Sequence, residues 1–240
     1  MNKPLFLFVG RSASGKTTVA NMLEKDGYKQ IASYTTRPPR YENEKEHTFI
    51  SEDEYGKLEN IVASTTYNGY HYCTTLEQIQ NADIYVIDIQ GVQTLLNNYE
   101  LLNRQVYVIF FEANTYSRIQ RMIERGDSDT AIVGRLLTDE KEDWYEQLYQ
   151  IHDKCKHSFY ITAINANLEL EAVYNGVKNF FERMEDTKRR ISETEETLAQ
   201  LKMLLNNQMA ERDDLEMHQL FDFIRKNNIS LDQAKNMMSK

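Results

Sequence analysis

Cysteine, basic charge and long apolar runs are all in short supply in this 240-residue chain, and each shortage removes a class of answers. Two cysteines, Cys73 and Cys155, cannot build a disulfide framework. Neither has a CxxC partner or a histidine-rich neighbourhood, so both are expected to be ordinary buried or half-buried thiols rather than metal ligands. Lys and Arg number 28 against 37 Asp and Glu, a net charge of −9. A general nucleic-acid binder needs a basic surface to displace counterions, so nucleic acid is not an expected partner and phosphate recognition has to come from local clusters. No stretch of about eighteen apolar residues is present, and the first apolar run, from Leu5, is too short for a signal segment. A cytoplasmic protein without a membrane partner is the expectation. Glycine and proline are absent after Gly176, where Glu, Lys, Gln, Leu and Met dominate, so the last sixty or so residues read as helix with few interruptions.

Apolar, β-branched or aromatic runs recur at 5–9, 28–32, 84–89, 106–111 and 159–164. Several are apolar almost throughout, as suits strands covered on both faces in a parallel sheet, and helix-compatible stretches separate most of them. The expected fold class is therefore α/β. Between the second and third runs lies a long connection with elements of its own. Thr48-Phe49-Ile50 reads as a strand, and Ser51 with Glu54 three residues on is a capping box. Ile61 to Tyr67 and Tyr70 to Thr74 read as a hairpin around Asn68-Gly69, the dipeptide favoured in type I′ turns. A small β-rich subdomain is thus inserted into the parallel sheet. In the tail, Ile191, Leu198 and Leu205 fall seven apart with Leu201 and Leu215 at companion positions, while Thr194, Gln208 and Arg212 interrupt the seam. A self-associating coiled coil and a helical hairpin within the chain both fit. Ser230 to Gln233 again has capping-box spacing, so a break at 227–229 and a last short helix are expected.

Directly after the first apolar run comes Gly10-Arg11-Ser12-Ala13-Ser14-Gly15-Lys16-Thr17, followed by the helix-compatible Thr18 to Lys25. Glycines let the backbone wrap closely around phosphate, and the loop amides and first helical turn, including Thr18, point at the anion. Lys16 adds a mobile charge for the β and γ phosphates of ATP, and Thr17 offers a hydroxyl to Mg²⁺. At the end of the second run, Ser33-Tyr34-Thr35-Thr36-Arg37-Pro38-Pro39-Arg40 supplies two arginines held by consecutive prolines. Paired guanidinium forks suit a second phosphate, and ligands of such sheets gather at the carboxyl ends of strands.

With these residues in place the chain resembles the guanylate kinase family. The likeness runs through Ser33, Thr35, Thr36, Arg37, Pro39 and Arg40, then Thr48 to Ser51, Gly69 to Tyr72, Asp88 to Val92, Arg121 to Gly126, Arg135-Leu136 and Ile164-Asn165, in order over residues 5 to about 182. It implies a P-loop parallel sheet flanked by helices over residues 1–184, with an acceptor-binding subdomain at 33–80 and a lid at 126–136. A helical extension follows at 185–240, through which a homodimer could form. It implies an ATP- and Mg²⁺-dependent nucleoside monophosphate kinase. Arg37, Arg40 and Tyr72 would hold the acceptor phosphate, Asp88 would lie near the acceptor and the metal, and Arg121, Arg125 and Arg135 would converge with Lys16 on the transferring phosphoryl group.

The chain departs from the family where the base is read. Of the Ser and Glu that usually recognise guanine, Ser33 matches, but Ala63 stands at the Glu position. His47 replaces a tyrosine that usually helps hold the acceptor phosphate, and Thr74 stands where a Ser is common. Three readings therefore stand: a GMP or dGMP kinase, the same chemistry on a different or modified base, and a non-catalytic binding module.

Overall fold

The computed structural model describes residues 3–40, 42, 44–67, 69–141, 143–154 and 159–226, with backbone alone at 154, 159 and 208–225. Cys155, Asn68 of the expected hairpin turn, the seam positions Gln208, Arg212 and Leu215 as side chains, and the expected break at 227–229 with its following helix lie outside what is described. Along the chain run β1 (Leu5–Val9), α1 (Lys16–Lys25), β2 (Ser33–Thr35), β3 (His47–Phe49), α2 (Glu52–Tyr55), β4 (Ile61–Tyr67), β5 (Tyr70–Thr75) and α3 (Leu76–Asn81). They are followed by β6 (Ile84–Val86), α4 (Ile89–Asn97), α5 (Tyr99–Leu102), β7 (Val106–Glu112), α6 (Thr115–Glu124), α7 (Asp129–Glu140), α8 (Trp144–Lys154), β8 (Phe159–Asn165) and α9 (Leu170–Lys226).

Four strands form a parallel sheet in the order β6-β1-β7-β8. Every residue of β1 is buried, and the period of two sends its side chains to two different cores. Leu5, Leu7 and Val9 join Val92, Leu95, Leu148 and Ile151 on one face. On the other, Phe6 stacks on Phe181 of α9 with ring centroids 3.5 Å apart, and Phe8 meets Phe111. That is why β1 reads as an unbroken apolar run. The run at 28–32 does not form a strand of this sheet. It makes a single parallel bridge from Gln30 to Ile84, Ile31 is buried, and the chain then crosses into the second sheet as β2. The run at 84–89 likewise stops pairing at Val86, because Asp88 caps α4.

The inserted sheet has the order β3-β2-β5-β4, with β2 and β3 parallel and the other pairs antiparallel. β4 and β5 pair as a hairpin whose register shifts between Ile61 and Ala63. Both Ser51 at α2 and Thr75 at α3 form reciprocal capping boxes. The chain divides into two compact units, residues 1–183 and 184–240. In the second, the described residues belong to the continuous helix α9, so no hairpin forms over them. Ile191, Leu198, Leu201, Met203, Leu204 and Leu205 are exposed along it. Among the described residues no helix is long and apolar enough to cross a membrane.

Candidate active site

The loop between β1 and α1 is bent by residues that only a few side chains tolerate there. Gly10 has φ +149°, and a Cβ on it would lie 2.7 Å from the Phe111 carbonyl oxygen of the neighbouring strand. Gly15 caps α1 in the left-handed region, and Ala13 is left-handed as well. Lys16 curls back over this loop, donating to Gly10 O at 2.6 Å, Arg11 O at 2.9 Å and Ser14 Oγ at 3.3 Å. Burial lowers its ammonium to about 8, an effect opposed first by the carboxylate of Asp139. Ser14 is buried, Thr17 half-buried and Thr18 exposed on the first turn of α1.

Helices α6 and α7 close over the loop. Arg121 is tied to it, donating to Ala13 O at 3.3 Å and to Ala166 O at 2.5 Å. One turn earlier, Arg118 donates through Nε to Ser12 O at 3.0 Å and through Nη2 to Asp139 Oδ2 at 2.6 Å, and Asp139 also accepts from the Ser12 amide at 3.0 Å. Arg125 points elsewhere. It pairs with Asp127, and the same carboxylate lies 3.5 Å from Arg135 Nε.

In the inserted subdomain Arg37 is almost wholly buried, with its guanidinium in a two-pronged pair with Glu44 and 5.2 Å from the centre of the Phe49 ring. Glu44 also accepts from the Arg40 amide at 2.7 Å. Bonding to Arg37 holds the Glu44 carboxyl at about 2 despite burial. Tyr72 is within hydrogen-bonding reach of Arg37. Burial, and then the neighbouring charges of Arg37 and Arg135, lower the pKa of Arg40. Three guanidinium groups gathered in this way are chemically suited to an anion.

One cavity of about 390 Å³ joins the two ends: Gly10, Ser12 and Lys16 wall it on the loop side, and Arg40, His47, Tyr72 and Arg135 on the other. Asp88, Gln90 and Tyr85 line it between them. Arg37 lines an adjoining hollow that shares Arg40, Tyr72, Arg135 and Thr138 with the main cavity. At the far end Ser33 Oγ lies 2.9 Å from His47 Nδ1. Burial, then Arg37, brings the imidazole down to about 4, so His47 is neutral at pH 7. Asp88 caps α4 by accepting from Gly91 N at 2.6 Å, and burial raises its carboxyl.

Not every expected residue lines the cleft. Thr74 is fully buried, and its hydroxyl donates to Gln78 Oε1 at 2.7 Å beside the capping box of α3, so it is no part of the cavity wall. Arg125 is outside it too. Conversely, Arg118 and Asp139 contact the loop after β1, and Glu44 pairs with Arg37, three residues that the sequence reading passed over. Helical spacing offered a signal for two of them: Arg118 lies three before Arg121, and Asp139 four after Arg135.

No protein-family model matches the chain. No curated protein does either. Among solved structures, a guanylate kinase from Anaplasma phagocytophilum is similar at 17% identity and a TM-score of 0.47, covering 76% of this chain and 87% of that one. A deoxyadenosine kinase from M. mycoides with bound dATP is similar at 17% identity and a TM-score of 0.36, over 74% of this chain and 99% of that one. A de novo designed protein with a P-loop NTPase fold gives 9% identity and a TM-score of 0.34, over 75% and 93%. Likenesses this distant carry no weight for the reaction.

Proposed function

We propose that the chain is an ATP-dependent nucleoside monophosphate kinase. The observation that carries this reading is the single cavity walled by Lys16 of the phosphate loop at one end and by Arg40, Tyr72 and Arg135 at the other. Two anion sites opening into one space are what transfer between two phosphorylated substrates requires.

The donor triphosphate lies along the loop amides, with Lys16 leaving its carbonyl partners for the β and γ oxygens. Arg40 and Tyr72, backed by Arg37, hold the acceptor phosphate in line. Arg135 and Arg121 stabilise the charge spread over the transferring group, and Arg125 joins them by exchanging Asp127 for phosphate when residues 126–136 move as a lid. Thr17 and Asp88 offer hard oxygen donors, and Asp88 lines the same cavity as Lys16, so the pair would suit Mg²⁺. When bound there, the ion neutralises charge on the donor phosphates.

The resemblance favours a GMP- or dGMP-like acceptor with Ser33 at the base. A second reading, a different or modified base, is favoured by Ala63. This residue is buried in β4 and absent from the cavity wall, so it offers no carboxylate to the guanine N1 and N2 hydrogens. A second copy of the chain, covering the exposed Leu198 to Leu205 stripe of α9, makes the protein a homodimer.

The test is Mg-ATP with a panel of ribo- and deoxynucleoside monophosphates. Turnover of at least one is expected, with a loss of about 10³-fold or more in Lys16→Ala. No turnover across the panel would transfer the case to a binding module. GMP or dGMP ranking first supports the guanine reading, and any other ranking the second.

A further inference from the structure

Arg118 of α6 and Asp139 of α7 pack against the donor-phosphate loop at Ser12, and the transfer scheme uses neither. Helix α7 delivers Asp139 against the loop. Its Oδ2 accepts from the Ser12 amide and from Arg118, its Oδ1 lies 3.4 Å from Ser12 Oγ, and Arg118 also holds the Ser12 carbonyl. The two side chains are only 3% and 9% exposed. A carboxylate so placed does what a phosphate oxygen would do there: it takes a loop amide and an arginine, and it faces Lys16 in the same cavity. A buried pair of this kind persists only while each charge has a partner, and either partner can be exchanged for another of the same sign. Polyphosphate repels the carboxylate and competes for the same two donors.

We propose that Asp139 is a built-in stand-in for a donor phosphate oxygen, that donor binding expels it from the Ser12 amide, and that Arg118, so released, becomes a further phosphate-binding arginine. The inference rests on the donor-loop reading above. Asp139 lies one turn beyond Arg135 on α7, and both line the cavity. Expelling Asp139 therefore shifts the helix that carries the arginine facing the acceptor, and donor occupancy is felt at the acceptor end.

Trp144, the chain's one tryptophan, reports on this contact, since its buried Nε1 donates to the Asp139 carbonyl at 3.1 Å. The experiment titrates the full chain with inorganic tripolyphosphate, without nucleotide, following Trp144 fluorescence beside calorimetry. Wild type is expected to bind with a saturable change in Trp144 emission. Asp139→Asn should bind roughly tenfold more tightly, the scale of removing one nearby like charge. Adding Arg118→Met should abolish that gain. Binding by wild type with silent Trp144, an Asp139→Asn affinity no better than wild type, or a gain that survives in the double variant would each overturn the proposal. Should Asp139→Asn not fold, the wild-type titration decides alone. A chain that behaves as expected here yet phosphorylates no nucleotide keeps this inference and loses the kinase reading, whereas one that binds no tripolyphosphate loses both.

Discussion

A guanidinium removed from water needs an anion, and Glu44 supplies one to Arg37 with both side chains nearly inaccessible. The folded Glu44 carboxyl titrates at about 2 against 4.5 for a free one, so the folded state holds fewer protons than the unfolded state between those values. Its contribution is complete above about pH 5 and is lost as pH falls from 4.5 toward 2. Glu44→Gln should therefore cost roughly 3 kcal/mol at pH 7, the loss expected when one partner of a buried pair is removed. Melting temperatures of wild type and variant should converge on acidification, and a gap that does not change with pH would contradict the assignment. The sequence displayed Glu44 only as one acid in the run from Glu42 to Glu46, where adjacent carboxylates are chemically alike. Which one turns inward is settled by where the β2 to β3 connection places it beside Arg37. Arg37 itself stood out in the sequence, because two arginines flank Pro38 and Pro39 at the end of a strand-like run, but the same residues alone would equally suit an exposed basic turn.

Among elements, those governed by local rules were the most readable. β1, the β4 and β5 hairpin and the capping box at Ser51 depend on alternation, turn preference and residues three apart, all of which a sequence carries. The run at 28–32 fails because burial of Ile31 makes it look like a strand, while pairing depends on a neighbour far along the chain. Arg104 shows the same dependence. Its guanidinium donates to Lys3 O at 2.8 Å, Pro4 O at 2.6 Å and Ala82 O at 2.9 Å, and also to Ile79 O, fastening the start of β1 to the end of α3. Arg104→Met would leave the buried carbonyls of Pro4, Ile79 and Ala82 without this donor and should destabilise the chain by about 3 kcal/mol or more. Denaturant unfolding measures it; a loss within 0.5 kcal/mol, the ordinary range for a surface residue, would show that water replaces the arginine.

For the whole molecule, the first unit has two sheets and the second a helix that exposes apolar side chains at heptad spacing. The first is organised around a cleft, and the second presents a surface that a partner helix would cover. Replacing Leu198 and Leu205 together by Glu in the full chain should leave the outcome of the nucleotide panel unchanged and halve the mass measured by light scattering. A wild type already of monomer mass would refute the dimer.

By itself the sequence determined the glycine-bent loop between β1 and α1 and the helical course of the described tail, because glycine freedom and helix propensity act over a few neighbouring residues. Only the tertiary structure decided that Lys16 and Arg40 open into one cavity, that Thr74 serves a helix cap, and that Glu44 turns onto Arg37 and Asp139 onto the loop. Charge acts through space, and the distance between two charged groups is set by the packing of strands and helices far apart in the chain.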